Sequence, residues 1–159
     1  MAANIQQIVG RYRTNSDLTR ARLGAPKRLS YGSTPIEGAD LYATERPNAP
    51  INIFLHGGAW RGELAQYYGF PAEMFVNAGA HYIAVDFNNV METNGDLMPI
   101  AEQCRRAVAW ICKNAASFSG DTDNDDLLDV GETWTYTTTA KPVTQAMLDA
   151  GTDLTNIAV

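Results

Sequence analysis

The sequence has 159 residues, 45% of them hydrophobic, and a formal net charge of −6 at pH 7. This length and composition predict a globular protein with one modest core or two small ones. Because the sequence has no stretch approaching a membrane span and no signal-peptide pattern at its start, we expect a cytoplasmic protein without a membrane partner.

The charge is distributed unevenly along the chain. Residues 1–120 contain 11 basic against 10 acidic side chains, whereas residues 121–159 contain Lys141 alone against 8 acidic side chains. This asymmetry suggests two pieces of different origin, with a boundary near residue 120. Neither piece has a basic stripe, which argues against a nucleic-acid partner.

The first 50 residues predict a helical start followed by weak strands. Residues 4–23 place Ile5, Ile8, Val9 and Tyr12 at helical spacing, and residues 16–17 are a possible cap for a second short turn. Residues 29–43 predict two weak strands separated by a Gly/Pro turn, and residues 46–50 predict a loop.

A short apolar run at residues 51–55 predicts a strand that is buried on both faces. A turn with two glycines follows it directly, where a sharp bend meets no Cβ atom. Such a turn could aim successive backbone amides at one spot, which suits a developing oxyanion, although an ordinary glycine turn is an equally open interpretation. The candidate oxyanion loop comprises His56, Gly57, Gly58, Ala59 and Trp60.

Two helices and a second buried strand are predicted beyond this turn. Residues 65–78 favour a helix with Gly79 as its C-cap, and residues 81–87 favour a buried strand. Asp96 could cap the next helix, with Pro99 in its first turn. The apolar face of that helix contains Ile100, Cys104, Ala107, Val108, Ile111 and Ala115. This alternation indicates parallel strands with right-handed crossovers, and we expect a further strand beside residues 81–87.

The expected strand does not follow in the sequence. Residues 121–132 are rich in Asp, and residues 133–139 alternate Thr with Trp and Tyr, a pattern typical of an exposed antiparallel strand. Without a further strand, the edge beside residues 81–87 should be underburied and could mediate self-association.

The motif at residues 56–60 resembles that of the α/β-hydrolase superfamily, in particular its arylformamidase and esterase branch. The resemblance covers residues 28–120 and rests on the apolar strand, His-Gly-Gly-Ala-Trp, and the spacing to the second strand and the long helix. It implies hydrolysis of ester or aryl-amide (formamide) bonds, with residues 56–60 as the oxyanion loop.

The same resemblance implies a Gly-x-Ser-x-Gly nucleophile motif followed by an acid and a histidine. The sequence contains no such motif, and its only histidines are His56 and His81. We therefore expect a truncated hydrolase-like fragment that is inactive alone and acts on a small-molecule ester or amide only if a catalytic half is supplied.

Residues 120–159 resemble repeat modules of bacterial surface and adhesin-like proteins, which are extracellular. In addition, residues 121–132 have the ligand spacing of a twelve-residue calcium loop. The alternatives are a solvated acidic turn or, for the whole chain, a calcium-binding structural fragment fused to an inert α/β passenger. The candidate Ca²⁺ ligands are Asp121, Asp123, Asp125, Leu127 through its carbonyl, Asp129 and Glu132.

The predicted fold class is α/β. We expect a truncated α/β-hydrolase-like sheet with flanking helices in residues 1–120, and a small C-terminal β appendage in residues 121–159.

Overall fold

A computed structural model describes residues 5–121 of the chain, in which a helix and three strands are followed by a helix, a fourth strand and a long helix. The helices are α1 (Ile5–Leu23), α2 (Ala72–Asn77) and α3 (Met98–Asn114). The strands are β1 (Lys27–Ser30), β2 (Gly38–Tyr42), β3 (Ile51–Leu55) and β4 (His81–Val85). Short 3-10 turns lie at Ala65–Tyr68 and Ala115–Phe118. None of the described helices is long and apolar enough to cross a membrane.

The four strands form one mixed sheet in the order β1-β2-β4-β3. β1 and β2 form an antiparallel hairpin, and β2 also pairs antiparallel with β4. β3 and β4 are parallel, with Ile51 opposite His81 and Leu55 opposite Val85. The two weak strands and the two parallel strands predicted from the sequence are therefore confirmed. The predicted burial of residues 51–55 on both faces was wrong, because β3 is an edge strand whose first four residues are half-buried and whose Leu55 is exposed.

Helices cover both faces of the sheet because alternate strand residues supply apolar side chains to each face. On one face, Ile83 and Val85 belong to a buried cluster that includes Ile100 and Ile111 of α3. On the other face, Tyr82 belongs to a second cluster that includes the alanines at positions 65 and 72. Of the predicted apolar face of α3, all residues except Val108, which is half-buried, belong to the first of these clusters.

Two details of the predicted helices are corrected. α1 is one continuous helix, and Ser16 does not cap a second turn. Its buried hydroxyl instead donates to the Tyr67 carbonyl at 2.8 Å and accepts from the Phe70 amide at 3.1 Å. The helix predicted over residues 65–78 is split into a 3-10 turn and α2, with Pro71 at the N-cap of α2. A proline at this point supplies no amide for a continuous helical ladder, which explains the break.

The prediction about the exposed sheet edge was wrong. β4 lies in the middle of the sheet between β2 and β3, and all five of its residues are buried. The edge strands of the described sheet are β1 and β3, and Leu55 of β3 is 40% exposed. A further parallel strand would therefore lie beside β3 and not beside residues 81–87.

The described chain ends beside Ala49, two residues before β3 begins. The Ala49 amide donates to the Ser119 carbonyl at 3.0 Å, and the Asp121 amide donates to the Ala49 carbonyl at 2.9 Å. These bonds form an isolated parallel bridge between Ala49 and Gly120. The predicted β appendage of residues 121–159 lies outside the described residues except for Asp121.

Candidate functional site

The 56–60 loop begins at the carboxyl end of β3, where the chain leaves the sheet. Three consecutive residues have left-handed backbone, with φ of 103° at Gly58, 53° at Ala59 and 61° at Trp60. A left-handed conformation is uncommon for a bulky residue such as tryptophan and costs roughly 1–3 kcal/mol per residue. Strain of this kind is concentrated at functional turns, which favours the oxyanion interpretation over an ordinary glycine turn.

Gly58 is required at its position for two reasons. Its φ of 103° is unfavourable for any L-residue, and a Cβ atom there would lie 2.7 Å from Cγ of Glu63. Gly57 differs, because a Cβ atom at that position would meet nothing within 4 Å. Of the two glycines, Gly58 and not Gly57 therefore occupies a position that requires glycine.

The backbone amides of the loop are available to a ligand. Within residues 5–121, no acceptor receives a hydrogen bond from the amides of Gly57, Gly58, Ala59 or Trp60. The loop is nevertheless fixed through its carbonyls, because Gly58 accepts from the Arg61 amide at 3.1 Å and Trp60 accepts from the Val90 amide at 2.6 Å. Successive free N–H groups in a left-handed turn are suited to bind an anionic oxygen.

His56 anchors the start of the loop through its ring. The imidazole stacks between Phe87, at 4.3 Å between ring centres, and Tyr68, at 5.3 Å. Its Nδ1 lies 2.9 Å from the Gly57 carbonyl, an arrangement in which Nδ1–H donates. Its Nε2 is buried and has no hydrogen-bond partner among the described residues. Burial also raises the pKa of Tyr68, and nearby Glu63 adds to that shift.

A buried acid anchors the segment that follows the loop. Asp86 comes directly after β4, and its carboxylate accepts from the Ala65 amide at 2.6 Å and pairs with Arg28 at 2.7 Å. Arg28 also pairs with Asp40 at 2.9 Å. Burial raises the pKa of Asp40, and the interaction with Arg28 opposes that shift. The sequence reasoning missed this cluster, although an acid at the end of a buried strand was a usable signal.

A cleft of about 320 Å³ is lined by residues that follow the loop, Gly62 to Leu64, and not by residues 56–60 themselves. Its wall also contains Tyr67 and Phe87, and the Phe87 ring lies against the rings of both His56 and Trp60. Arg13 lies over the Tyr67 ring at 4.0 Å from its centre. This volume is at the lower end of the range for small-molecule sites.

Of the candidate calcium ligands, the structure describes only Asp121. It is half-buried, and its amide bonds to Ala49 as described above. The other five candidates, Asp123, Asp125, Leu127, Asp129 and Glu132, lie outside the described residues.

Comparison with curated proteins relates part of the chain to known hydrolases. The chain is 30% identical over 94 residues to a kynurenine formamidase from Danio rerio, an alignment that covers 58% of this chain and 31% of the relative. It is 31% identical over 121 residues to a protein of Oryza sativa subsp. japonica named as an isoprenylcysteine alpha-carbonyl methylesterase, covering 72% of this chain and 25% of the relative. The chain thus spans about a third or less of the length of these relatives. No protein-family model matches it.

Solved structures give the same fold. A thioesterase-like protein from Silicibacter sp. TM1040 matches 72% of this chain and 44% of its own, with a TM-score of 0.64 and 21% identity. A thermophilic esterase from Thermogutta terrifontis matches 63% of this chain and 39% of its own, with a TM-score of 0.55 and 17% identity. The described residues therefore have part of the α/β-hydrolase fold, and the chain is related over part of its length to esterases and formamidases.

Proposed function

We propose that the 56–60 loop stabilises the oxyanion formed when an ester or aryl-amide (formamide) bond is hydrolysed. The nucleophile, acid and base of this reaction are not recognisable in the 159 residues, so the chain alone is inactive in this proposal. Its substrate would be a small molecule bound once a catalytic half is supplied. The observation that carries the proposal is the run of left-handed residues at positions 58–60, whose amides have no acceptor among residues 5–121.

The chemistry of acyl transfer explains why such a loop is useful. Attack on a carbonyl carbon places negative charge on the carbonyl oxygen, and preorganised N–H groups stabilise that charge without reorganisation. Removing one such donor typically lowers kcat by roughly 10²–10³-fold. Phe87, which packs against His56 and Trp60 of the loop, also lines the 320 Å³ cleft, so the acyl or aryl part of a substrate could contact this ring.

The relatives support this choice of bond. The Danio rerio protein is a formamidase by name, and the Oryza sativa protein is a methylesterase by name. Both names describe hydrolysis at a carbonyl carbon, the reaction for which an oxyanion loop is needed.

The test is hydrolysis of a nitrophenyl ester and of an N-formyl aniline by the purified chain. We expect turnover no higher than that of an unrelated protein, because oxyanion stabilisation without a nucleophile gives only a small part of a triad enzyme's rate. Steady turnover that disappears when one serine is replaced by alanine would contradict the proposal. The serines to be changed one at a time are Ser16, Ser30, Ser33, Ser117 and Ser119.

A second candidate function is calcium binding by residues 121–132, as part of a structural or adhesion-type segment. The spacing of carboxylates at loop positions 1, 3, 5, 9 and 12 favours it. Asp126 occupies position 6, where calcium loops usually have glycine, so we infer a weak site.

A further inference from the structure

Gln103 is a polar residue on the buried face of α3. The other buried residues of this helix are Ile100, Cys104, Ala107 and Ile111. Gln103 itself is 4% exposed. Burying an amide side chain costs free energy unless its polar groups are hydrogen-bonded. A glutamine at this position therefore indicates a specific hydrogen-bond partner.

The partner of Gln103 is a backbone amide in the segment that follows β4. The side-chain oxygen Oε1 accepts from the Asn88 amide at 2.8 Å. Directly after Asn88 the chain enters a turn, in which the Asn89 side chain accepts from the Met91 amide at 2.9 Å and the Asn89 amide donates to the Glu92 carboxylate at 2.8 Å. Gln103 thus fixes the chain at the point where it passes from β4 into this turn.

The residues on either side of Asn88 contact both ends of the 56–60 loop. The Phe87 ring lies 4.3 Å from the His56 ring and 5.6 Å from the Trp60 ring, measured between ring centres. The Val90 amide donates to the Trp60 carbonyl at 2.6 Å. Since the Trp60 side chain is 42% exposed, these contacts hold an end of the loop that lies at the surface.

Helix α3 is a firm support for the bond to Asn88. Ile100 and Ile111 of this helix belong to one buried cluster with Ile83 and Val85 of β4, so the core sets the position of the helix. Glutamine offers an acceptor oxygen without a charge, whereas a buried carboxylate would need a charged partner. A side chain that orients a site is most effective when a rigid element carries it.

We propose that Gln103 is a positioning residue for the 56–60 loop. By fixing Asn88 it sets the positions of Phe87 and Val90, and these two residues set the backbone of Trp60. This inference rests on the proposed oxyanion role of the loop. N–H donors stabilise a developing charge only when they are held in the correct direction, so support from α3 would improve binding at residues 58–60.

The first test measures hydrogen exchange of the Val90 amide by NMR, because that amide bonds to Trp60. Gln103→Met keeps the length of the side chain and removes the acceptor, so exchange at Val90 should rise by at least about tenfold. Gln103→Glu keeps an acceptor oxygen at the same length and should restore most of the lost protection. Ile111→Val is the matched control, because it weakens the core of the same helix and leaves the acceptor in place.

Gln103→Asn gives the same test if Gln103→Met does not fold, since its shorter side chain withdraws the oxygen from Asn88. Unchanged exchange at Val90 in these variants, or an equal rise in Ile111→Val, would overturn the proposal. The exchange measurement does not depend on whether the loop binds an oxyanion.

The second test titrates the ¹⁵N-labelled chains with methylphosphonate, whose tetrahedral centre carries an anionic oxygen. The dissociation constant read from the amides of residues 58–60 should rise by at least about fivefold in Gln103→Met and stay unchanged in Ile111→Val. Equal affinities of Gln103→Met and the unchanged chain would leave Gln103 a structural role only and so overturn the proposal. If the unchanged chain itself shows no shift of these amides, the proposed function fails, and the exchange result alone decides whether Gln103 holds the loop.

Discussion

At the scale of single residues, the strongest constraint lies on Gly58. Replacing it by alanine should destabilise the chain by roughly 1–3 kcal/mol, because φ of 103° is unfavourable for alanine and the new methyl group meets Glu63. Gly57→Ala is the matched control, and its effect should be about 1 kcal/mol or less. Urea unfolding of both variants measures the difference. Equal losses would show that the left-handed turn at Gly58 is not required.

The ring of His56 should stabilise the loop by stacking on its aromatic neighbours. His56→Ala removes a ring held between Tyr68 and Phe87 and should cost roughly 2–4 kcal/mol of unfolding free energy. His56→Phe keeps a ring of similar size and removes the unpartnered Nε2, so its cost should be about 1 kcal/mol or less. If both variants lose the same stability in urea unfolding, the contact of Nδ1 with Gly57 and not the stack holds the loop.

At the scale of elements, Glu37 joins the β1–β2 turn to α3. Its carboxylate accepts from the Thr34 amide and hydroxyl and from the Ser33 amide, and it pairs with Arg106 at 2.7 Å. The bonds from Thr34 are the main reason that the pKa of Glu37 is lowered, and the Arg106 charge adds to the shift. The charged form is therefore favoured in the folded state.

This lowered pKa determines how Glu37→Gln should behave with pH. Stabilisation by the carboxylate is fully present above the ordinary glutamate pKa of about 4.3 and is lost as the pH falls through the lowered folded-state pKa. Glu37→Gln should thus be less stable than the unchanged chain at neutral pH, and the gap should shrink in acid. Urea unfolding across this pH range measures it. The control is Glu102→Gln, because exposed Glu102 pairs with Arg105 of its own helix and a surface pair of this kind should contribute little. If the difference in unfolding free energy between the unchanged chain and Glu37→Gln stays constant as the pH falls, the carboxylate of Glu37 is not the group that stabilises the fold.

The elements themselves were largely predictable, since local patterns determine them. The apolar run of β3, the periodic face of α3 and the acceptor at Asp96, which bonds the Met98 amide at 2.9 Å, were all recognisable in the sequence. The order of the strands could not be predicted from the sequence, because it depends on which distant segment pairs with β2. For the same reason the partners of His56, namely Tyr68 and Phe87, could not be identified from sequence spacing. Pro71 was a missed signal for the break before α2.

At the scale of the whole molecule, the acidic excess of residues 121–159 leads to a prediction about calcium. Six carboxylates within residues 121–132 repel one another without a cation, so Ca²⁺ should bind there, weakly, with a dissociation constant of about 10⁻⁴–10⁻³ M. Asp126→Gly should bind more tightly by relaxing the turn, and Glu132→Gln should bind more weakly by losing a bidentate ligand. Isothermal titration with Ca²⁺, and with Mg²⁺ as a poor competitor, measures these differences. If millimolar Ca²⁺ gives no heat of binding, residues 121–132 do not bind calcium, and the alternative of a solvated acidic turn is favoured.

We expect the 56–60 loop to bind a developing oxyanion through backbone amides that have no acceptor in the described part of the chain. Titration of the ¹⁵N-labelled chain with methylphosphonate, followed by NMR, tests this most directly because the probe presents an anionic oxygen on a tetrahedral centre. We predict saturable shifts of the amide resonances of Gly58, Ala59 and Trp60, retained in Gly57→Ala and lost in Gly58→Ala. Shifts confined to basic side chains, with the amides of residues 58–60 unchanged, would contradict the claim.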